Sequence, residues 1–155
     1  MTIYQQLKEL GITLPTVATP AAAYLPFVIS DSHVYLSGHI AKEEGRVWAG
    51  QLGKNMQTQD GVRAARAVAI DLLGTLDAAC SSIGKSLDDV KQIVKVMSLV
   101  NSSPDFTEHH LVTNGCSELL KAVFKERGAQ RKFFCARGAH YKFLLEWYWP
   151  LISFI

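Results

Sequence analysis

Residues 58–100, TQDGVRAARAVAIDLLGTLDAACSSIGKSLDDVKQIVKVMSLV, contain two successive patterns that decide the fold class. In the first, apolar side chains recur at every third or fourth residue until Gly84, which predicts an amphipathic helix over residues 58–83. In the second, residues 93–100 are largely apolar, as in a central strand with both faces covered. A long helix followed by such a strand favours a protein in which helices pack on a sheet.

The chain before this unit has strand patterns and one short helical pattern. The segments YLPFVI (24–29) and VYLSGHI (34–40) are rich in β-branched and aromatic residues, and residues 30–33 between them predict a hairpin turn. RVWAGQLG (46–53) predicts a third short strand or a loop. Residues 2–11 start with a threonine cap and end with a glycine, which predicts a short N-terminal helix.

The chain after this unit has a second helical pattern and an aromatic tail. Residues 103–128 predict a helix that Ser103 caps, with a possible break at Gly115. The tail over residues 129–155 predicts one or two strands. The element order therefore indicates an α+β protein with a mixed sheet and two main helices on one face. We expect a single domain over residues 1–155, with the N-terminal helix and its connector in residues 1–19.

Composition limits the kinds of partner that the chain can have. The formal net charge is +2 and the lysines and arginines are scattered, so binding of nucleic acid or of an anionic membrane is not indicated. The three cysteines form no CxxC pair and the polar start is unlike a signal peptide, which favours a cytoplasmic protein. No uncharged apolar stretch reaches about 18 residues, so no membrane span is expected.

The sequence lacks the usual signatures of catalysis and metal binding. It has no P-loop, no GxGxxG, no GxSxG and no HExxH. His109 and His110 are adjacent, so on a helix they would point about 100° apart and could not bind one metal together. Cys80 and Cys116 fall on the apolar stripes of helices, which predicts buried thiols rather than nucleophiles. We therefore expect no metal site.

A resemblance to a known family adds what these patterns do not give. The chain has Pro20-Ala21-Ala22, then Pro26-Phe27, a hairpin, and Ser37-Gly38-His39-Ile40. The later segments, including HLVTNG with SELL at residues 110–120, keep the family's order and lengths. Over residues 3–128 the chain resembles the RidA family, also called YjgF/YER057c/UK114 or endoribonuclease L-PSP. It is most similar to a longer-chain branch that has an extra N-terminal helix.

The resemblance implies a fold and a reaction. The fold is a chorismate-mutase-like α+β subunit that forms a homotrimer, with clefts between neighbouring subunits. The reaction is the cofactor-free hydrolysis of reactive 2-imino and enamine acids to 2-keto acids and ammonia. A small carboxylate is therefore the expected ligand.

The resemblance also implies roles for individual residues. Arg131 would bind the substrate carboxylate through two hydrogen bonds, and Glu146, fifteen residues later, would hold and polarise the attacking water. The hairpin segment Ser37-Gly38 would bind the substrate. Phe27 takes a position where the family often has tyrosine, and Asn114 matches a helix asparagine that faces the site.

The tail departs from the family pattern and leaves alternatives open. Placing Arg131 at the family's arginine needs a one-residue deletion after Gly128; without it, Lys132 replaces the arginine and Trp147 replaces the glutamate. A change of reading frame in the coding sequence would also explain the divergent C-terminal residues 129–155.

The proposed site residues also have structural interpretations. Arg131 fits a strand-end charge, and Glu146 fits a solvent-facing strand position. Ser37 fits turn chemistry and Asn114 fits a helix break without a ligand.

Three functions follow as hypotheses. The first is an imine/enamine deaminase, and the second is a non-catalytic member that binds a small carboxylate or a protein in the cleft. The third is an RNA-cleaving translation inhibitor, which the low net charge disfavours.

Overall fold

A computed structural model describes residues 1–17, 24–137 and 152–154 of the chain. The elements, in chain order, are α1 (Ile3–Glu9), β1 (Phe27–Ser30), β2 (His33–Leu36), β3 (Lys42–Glu43), β4 (Arg46–Val47), α2 (Thr58–Ser81), β5 (Lys95–Asn101), α3 (His109–Val112), α4 (Asn114–Phe124), β6 (Arg131–Arg137) and β7 (Ile152–Phe154). Short 3-10 turns follow α2 and α4, at Leu87–Asp89 and Lys125–Gly128. This mixture of helices and strands confirms the predicted α+β class.

The N-terminal helix is confirmed, together with its cap and its stop. The Thr2 hydroxyl accepts a hydrogen bond from the Gln5 N–H, the Gln5 side chain accepts one from the Thr2 N–H, and Gly11 takes a positive φ of 67°. The connector then runs across α2, where a Cβ on Gly74 would overlap the Pro15 carbonyl oxygen. The connector can therefore pack this closely only because residue 74 is a glycine.

The predicted hairpin is the antiparallel pair β1–β2. Its turn is Asp31-Ser32, and Asp31 adopts a φ of 51°, a conformation that aspartate tolerates better than most residues. On its other side, β2 pairs antiparallel with β7. The segment predicted as a third strand or a loop is both, because Arg46–Val47 pairs with Lys42–Glu43 and the residues up to Gly53 form a loop.

The long helix and the strand after it lie close to their predicted positions. Helix α2 spans 24 residues and β5 spans seven. Strand β5 pairs in parallel with β6 and contacts β7, so the parallel β5–β6 pair adjoins the antiparallel β1–β2–β7 sheet. In the described residues these are two hydrogen-bonded groups and not one continuous mixed sheet. In the single chain β5 is covered on one face only, since Val96 is buried and Leu99 is 53% exposed. The expectation of two covered faces is therefore not met within one protomer.

The second helix begins later than predicted. Residues 103–106 form a turn in which the Phe106 N–H donates to the Ser103 carbonyl, and the helical residues start at His109. The break falls at Thr113, between α3 and α4, and not at Gly115. Gly115 lies inside α4 and faces α2, where a Cβ would overlap the Val62 carbonyl oxygen.

The main core lies between the two long helices and the strands. It contains Leu73 and Leu76 of α2, Leu119 and Phe124 of α4, and Val34 of β2. Cys80 and Cys116 belong to it as buried thiols, as predicted. Among the residues that the structure describes, no helix has the length and apolarity needed to cross a membrane.

Candidate functional site

Arg131, the predicted carboxylate ligand, is the first residue of β6 and is exposed. It pairs with Lys95 of β5, and its N–H donates to the Val94 carbonyl at 3.1 Å. Because paired residues of neighbouring strands project from the same face of a sheet, Arg131 and Lys95 lie side by side. That face points away from the core, since Val96, the next residue after Lys95, is buried in it.

The surface that carries this cation pair also exposes apolar side chains. We call it the outer face and define it by Val28, Tyr35, Lys95, Leu99 and Arg131. Val28 and Leu99 are 50% and 53% exposed. The outer face therefore carries positive charge at the start of β5 and β6 and exposed apolar side chains on β1 and β5, which suits contact with a second protein surface.

Lys95 was not among the residues predicted for the site. The sequence signal was a single lysine that interrupts the apolar run of residues 93–100. The position of Lys95 beside Arg131 depends on the register between β5 and β6, which the sequence pattern does not reveal.

The Ser37-Gly38 segment follows β2 and is half-buried. The Ser37 N–H donates to the Pro26 carbonyl at 2.9 Å, and the Ser37 hydroxyl donates to the Leu25 carbonyl. The Ser37 oxygen therefore keeps its lone pairs for a donor on a ligand. Within the described part of the chain no hydrogen bond uses the Gly38 N–H. The segment thus offers one acceptor and one donor to a ligand.

The other predicted site residues occupy different surroundings. Phe27 is half-buried and packs against the main core, because its partner Leu36 faces the helices. Asn114 is the first residue of α4 and is half-buried. Glu146, and Trp147 of the alternative register, lie outside the described residues.

Within one protomer, the described strands do not bring Ser37 and Arg131 side by side. Ser37 follows β2, which pairs with β1 and β7, whereas Arg131 starts β6, which pairs with β5. Strands β7 and β5 contact each other, so β2 and β6 are three strand intervals apart, or about 14 Å at ordinary sheet spacing. A site that uses both residues thus has room for a ligand between them or draws on two protomers.

A serine–histidine pair lies at a different place in the fold. The Ser102 Oγ is 2.9 Å from the His109 Nε2, and the rings of Phe106 and His109 pack edge to face. Ser102 is only 1% exposed, so its hydroxyl cannot meet a substrate in this conformation. The pair therefore joins the end of β5 to α3 rather than forming an accessible nucleophile.

Few other groups in the described residues have the chemistry of a site. No three of the described His, Cys, Asp and Glu side chains are grouped closely enough to hold a metal ion. Burial raises the pKa of the Cys80 thiol, and the nearby Asp77 carboxylate adds to that shift. A raised pKa keeps Cys80 protonated at neutral pH and makes it a poor nucleophile.

Comparison with known proteins gives the family. The family model described as "YjgF/chorismate_mutase-like, putative endoribonuclease" matches residues 5–139. The chain belongs to this family. The YjgF family match therefore confirms the resemblance seen in the sequence, and it confirms the chorismate-mutase-like fold.

Individual relatives agree with the YjgF assignment. Protein TCP17 of Trypanosoma cruzi is 41% identical over 133 residues, which are 85% of this chain and 80% of that protein. The solved structure of a "putative endoribonuclease" from Shewanella oneidensis has a TM-score of 0.81 at 28% identity. The match spans 88% of this chain and 89% of the Shewanella chain. The solved structure of Atu1372 from Agrobacterium tumefaciens, a protein of unknown function, has a TM-score of 0.73 at 36% identity. The match spans 88% of this chain and 82% of Atu1372.

Membership in the YjgF family does not assign the individual residues. Arg131, Glu146, Ser37, Gly38, Phe27 and Asn114 stay predictions. The structure gives two further facts about these residues. Arg131 lies on the outer face, and Ser37-Gly38 has one donor and one acceptor directed to no other described residue.

Proposed function

We propose that this protein hydrolyses 2-imino acids and their enamine tautomers to 2-keto acids and ammonia, in a cleft between protomers and without a cofactor. The observation that carries the proposal is the position of Arg131 on the outer face of a YjgF-family chain, exposed and beside Lys95. A guanidinium in this place can bind a carboxylate with two parallel hydrogen bonds, and the ammonium of Lys95 adds positive charge.

The reaction needs a nucleophile and a stabilised nitrogen besides this anchor. Water adds to the C=N carbon to give a carbinolamine, which then loses ammonia to give the ketone. In the proposal Glu146 accepts a proton from that water, the Gly38 N–H donates to the ligand carboxylate, and the Ser37 oxygen accepts from the ligand N–H. The protein groups thus supply binding, orientation and proton transfer.

We propose that the protein forms a homotrimer through the outer face. The support is physical: half-exposed Val28 and Leu99 lie on the same outer face as the two cations, and exposed apolar surface of this kind is unfavourable in water unless a partner covers it. In this proposal the cleft lies between Arg131 of one protomer and the Ser37 segment of its neighbour.

Leu99→Glu is expected to convert the trimer to monomers, because a carboxylate on the outer face would be buried without a partner at each interface. Light scattering after size exclusion should give three times the chain mass of 17.1 kDa for the natural protein and the single-chain mass for the variant. Val47→Glu, a substitution at an exposed residue of β4, is the matched control and should remain trimeric. A monomeric natural protein, or a trimeric Leu99→Glu variant, would refute this assembly.

The test of the proposed activity couples the protein to a threonine dehydratase, which releases 2-iminobutanoate and its enamine into solution. We expect the protein to shorten the lifetime of the imine, seen as faster release of 2-oxobutanoate and as less product trapped by semicarbazide. No acceleration at high protein concentration would eliminate the deaminase and would leave the carboxylate-binding alternative. Binding of 2-oxobutanoate by calorimetry would then measure that alternative directly.

The description of the Shewanella relative as a "putative endoribonuclease" favours RNA cleavage as a second candidate function. The chain's own residues give it little support, since a net charge of +2 provides no strong electrostatic attraction for a phosphate backbone. Incubation of the same preparation with single-stranded RNA tests this activity. If the Arg131→Ala variant cleaves RNA as fast as the natural protein does, the RNA-cleaving site lies outside the cleft.

A further inference from the structure

His39 joins the candidate substrate-binding segment to the middle of helix α2. Its Nδ1 lies 2.9 Å from the Ser37 carbonyl oxygen, and its Nε2 lies 3.0 Å from the Thr75 Oγ1. Thr75 is 2% exposed, and its hydroxyl is also 3.1 Å from the Asp71 carbonyl oxygen within the same helix. Both ring nitrogens therefore have a protein partner.

The chemistry of the Ser37 partner fixes a proton on one ring nitrogen. The Ser37 carbonyl can only accept, so the Nδ1 of His39 carries a proton. In the neutral ring the Nε2 then accepts from the Thr75 hydroxyl. In the charged ring the Nε2 donates to Thr75, whose hydroxyl turns to the Asp71 carbonyl. The bridge from α2 to Ser37 thus closes in either protonation state.

This bridge determines the direction of the Gly38 N–H. The Ser37 carbonyl and the Gly38 N–H belong to the same peptide unit, which is planar and trans, so they point in opposite directions. A hydrogen bond from His39 to the carbonyl therefore directs the Gly38 N–H away from the imidazole. The Ser37 N–H belongs to the preceding peptide unit, which the Pro26 carbonyl holds separately. The bond from His39 therefore restrains the Ser37–Gly38 unit itself.

The chain after His39 is also held on α2. Strand β3 contacts the helix, and the Trp48 ring lies 5.1 Å from the Arg63 guanidinium carbon. Thr75 and Arg63 are twelve residues apart, so the segment runs about 18 Å along the helix at 1.5 Å per residue. His39 is the attachment nearest to Ser37-Gly38, since β3 begins three residues later and Trp48 lies beyond the turn of the β3–β4 hairpin.

We propose that His39 is a positioning residue for the substrate site: by holding the Ser37 carbonyl against α2, it directs the Gly38 N–H toward the substrate carboxylate. The proposal rests on the function proposed above, because it takes Ser37-Gly38 as part of the site. Its physical content is the orientation of one peptide plane, which can be measured without turnover.

The experiment compares His39→Ala, His39→Gln and Thr75→Val with the natural protein. The control is His110→Ala, which changes an exposed histidine of α3. We expect His39→Ala to raise KM for the imine by about 10-fold, the cost of one misplaced hydrogen bond, with a smaller change in kcat. His39→Gln should recover most of the loss, because its amide can donate to the Ser37 carbonyl and accept from Thr75. Thr75→Val should lie between the two, since the Nδ1 bond remains.

The order parameter of the Gly38 N–H, measured by ¹⁵N NMR relaxation, provides the readout that does not depend on turnover. His39→Ala should lower this order parameter clearly more than His110→Ala does, because the Ser37–Gly38 peptide plane loses its restraint, and His39→Gln should restore it. An unchanged order parameter in His39→Ala, or an equal drop in His39→Ala and His39→Gln, would overturn the positioning role. A natural protein that shows no turnover would instead refute the deaminase, and the order parameters would still decide whether His39 restrains the Gly38 N–H.

Discussion

Arg131→Ala is expected to lower kcat/KM for a 2-imino acid by about 10²-fold or more, because it removes the only proposed bidentate contact with the substrate carboxylate. The loss should appear in both KM and kcat, since a carboxylate that is poorly held also leaves the imine carbon poorly placed for water. The measurement is the coupled release of 2-oxobutanoate over a range of imine concentrations. Because Arg131 is exposed at the start of β6, the melting temperature should change little.

Three further variants separate this interpretation from the alternatives. Arg46→Ala removes an exposed arginine of β4 and should keep full activity. Arg131→Lys keeps the charge but loses the planar fork, so it should recover only part of the activity. Lys132→Ala tests the alternative alignment of the tail. If Lys132→Ala abolished turnover and Arg131→Ala did not, Lys132 would be the carboxylate ligand and the one-residue deletion after Gly128 would be wrong.

Gly115→Ala is expected to destabilise the fold by about 1–3 kcal/mol, because the new methyl group would overlap the Val62 carbonyl oxygen of α2. The sign of the change in the free energy of unfolding distinguishes close packing from its absence. Helix propensity alone favours alanine over glycine by about 1 kcal/mol, so a glycine without close packing would give a more stable variant. Urea unfolding followed by circular dichroism measures the free energy of unfolding for both chains.

The matched control for this prediction is Glu118→Ala in the same helix. Glu118 is exposed, so its replacement should change the free energy of unfolding by no more than about 0.5 kcal/mol. A Gly115→Ala variant that is as stable as the natural protein, or more stable, would show that α2 and α4 do not approach each other this closely.

The sequence predicted those elements whose signals are local. The Thr2 cap and the Gly11 stop specify α1, and the four residues between two β-rich runs specify the β1–β2 hairpin. The start of α3 was predicted too early because Ser103 and Pro104 form a good helix start on sequence alone. In the structure the Ser103 N–H donates to the Leu52 carbonyl, a contact with a distant loop that holds residues 103–106 in a turn.

Sequence patterns predicted less of the candidate site than of the fold. Arg131 was found through resemblance to a family, since a single arginine at a strand end has no distinguishing pattern of its own. Lys95 and His39 were missed because their importance depends on tertiary contacts: the β5–β6 register for Lys95, and the approach of the loop to Thr75 for His39. No spacing along the chain reveals either contact. Glu146 remains a prediction from the resemblance and lies outside the described residues.

The contact between Pro15 and Gly74 has a consequence for sequence comparison across the family. A relative whose N-terminal connector crosses α2 in this way cannot have a side chain at the position of Gly74, since a Cβ there would collide with the connector's main chain. A relative without the leading helix is free of this restriction and gains helix propensity by replacing the glycine. Covariation between the presence of an N-terminal extension and a glycine at this one position would therefore identify chains that share the packing, even where the extension itself is too variable to align.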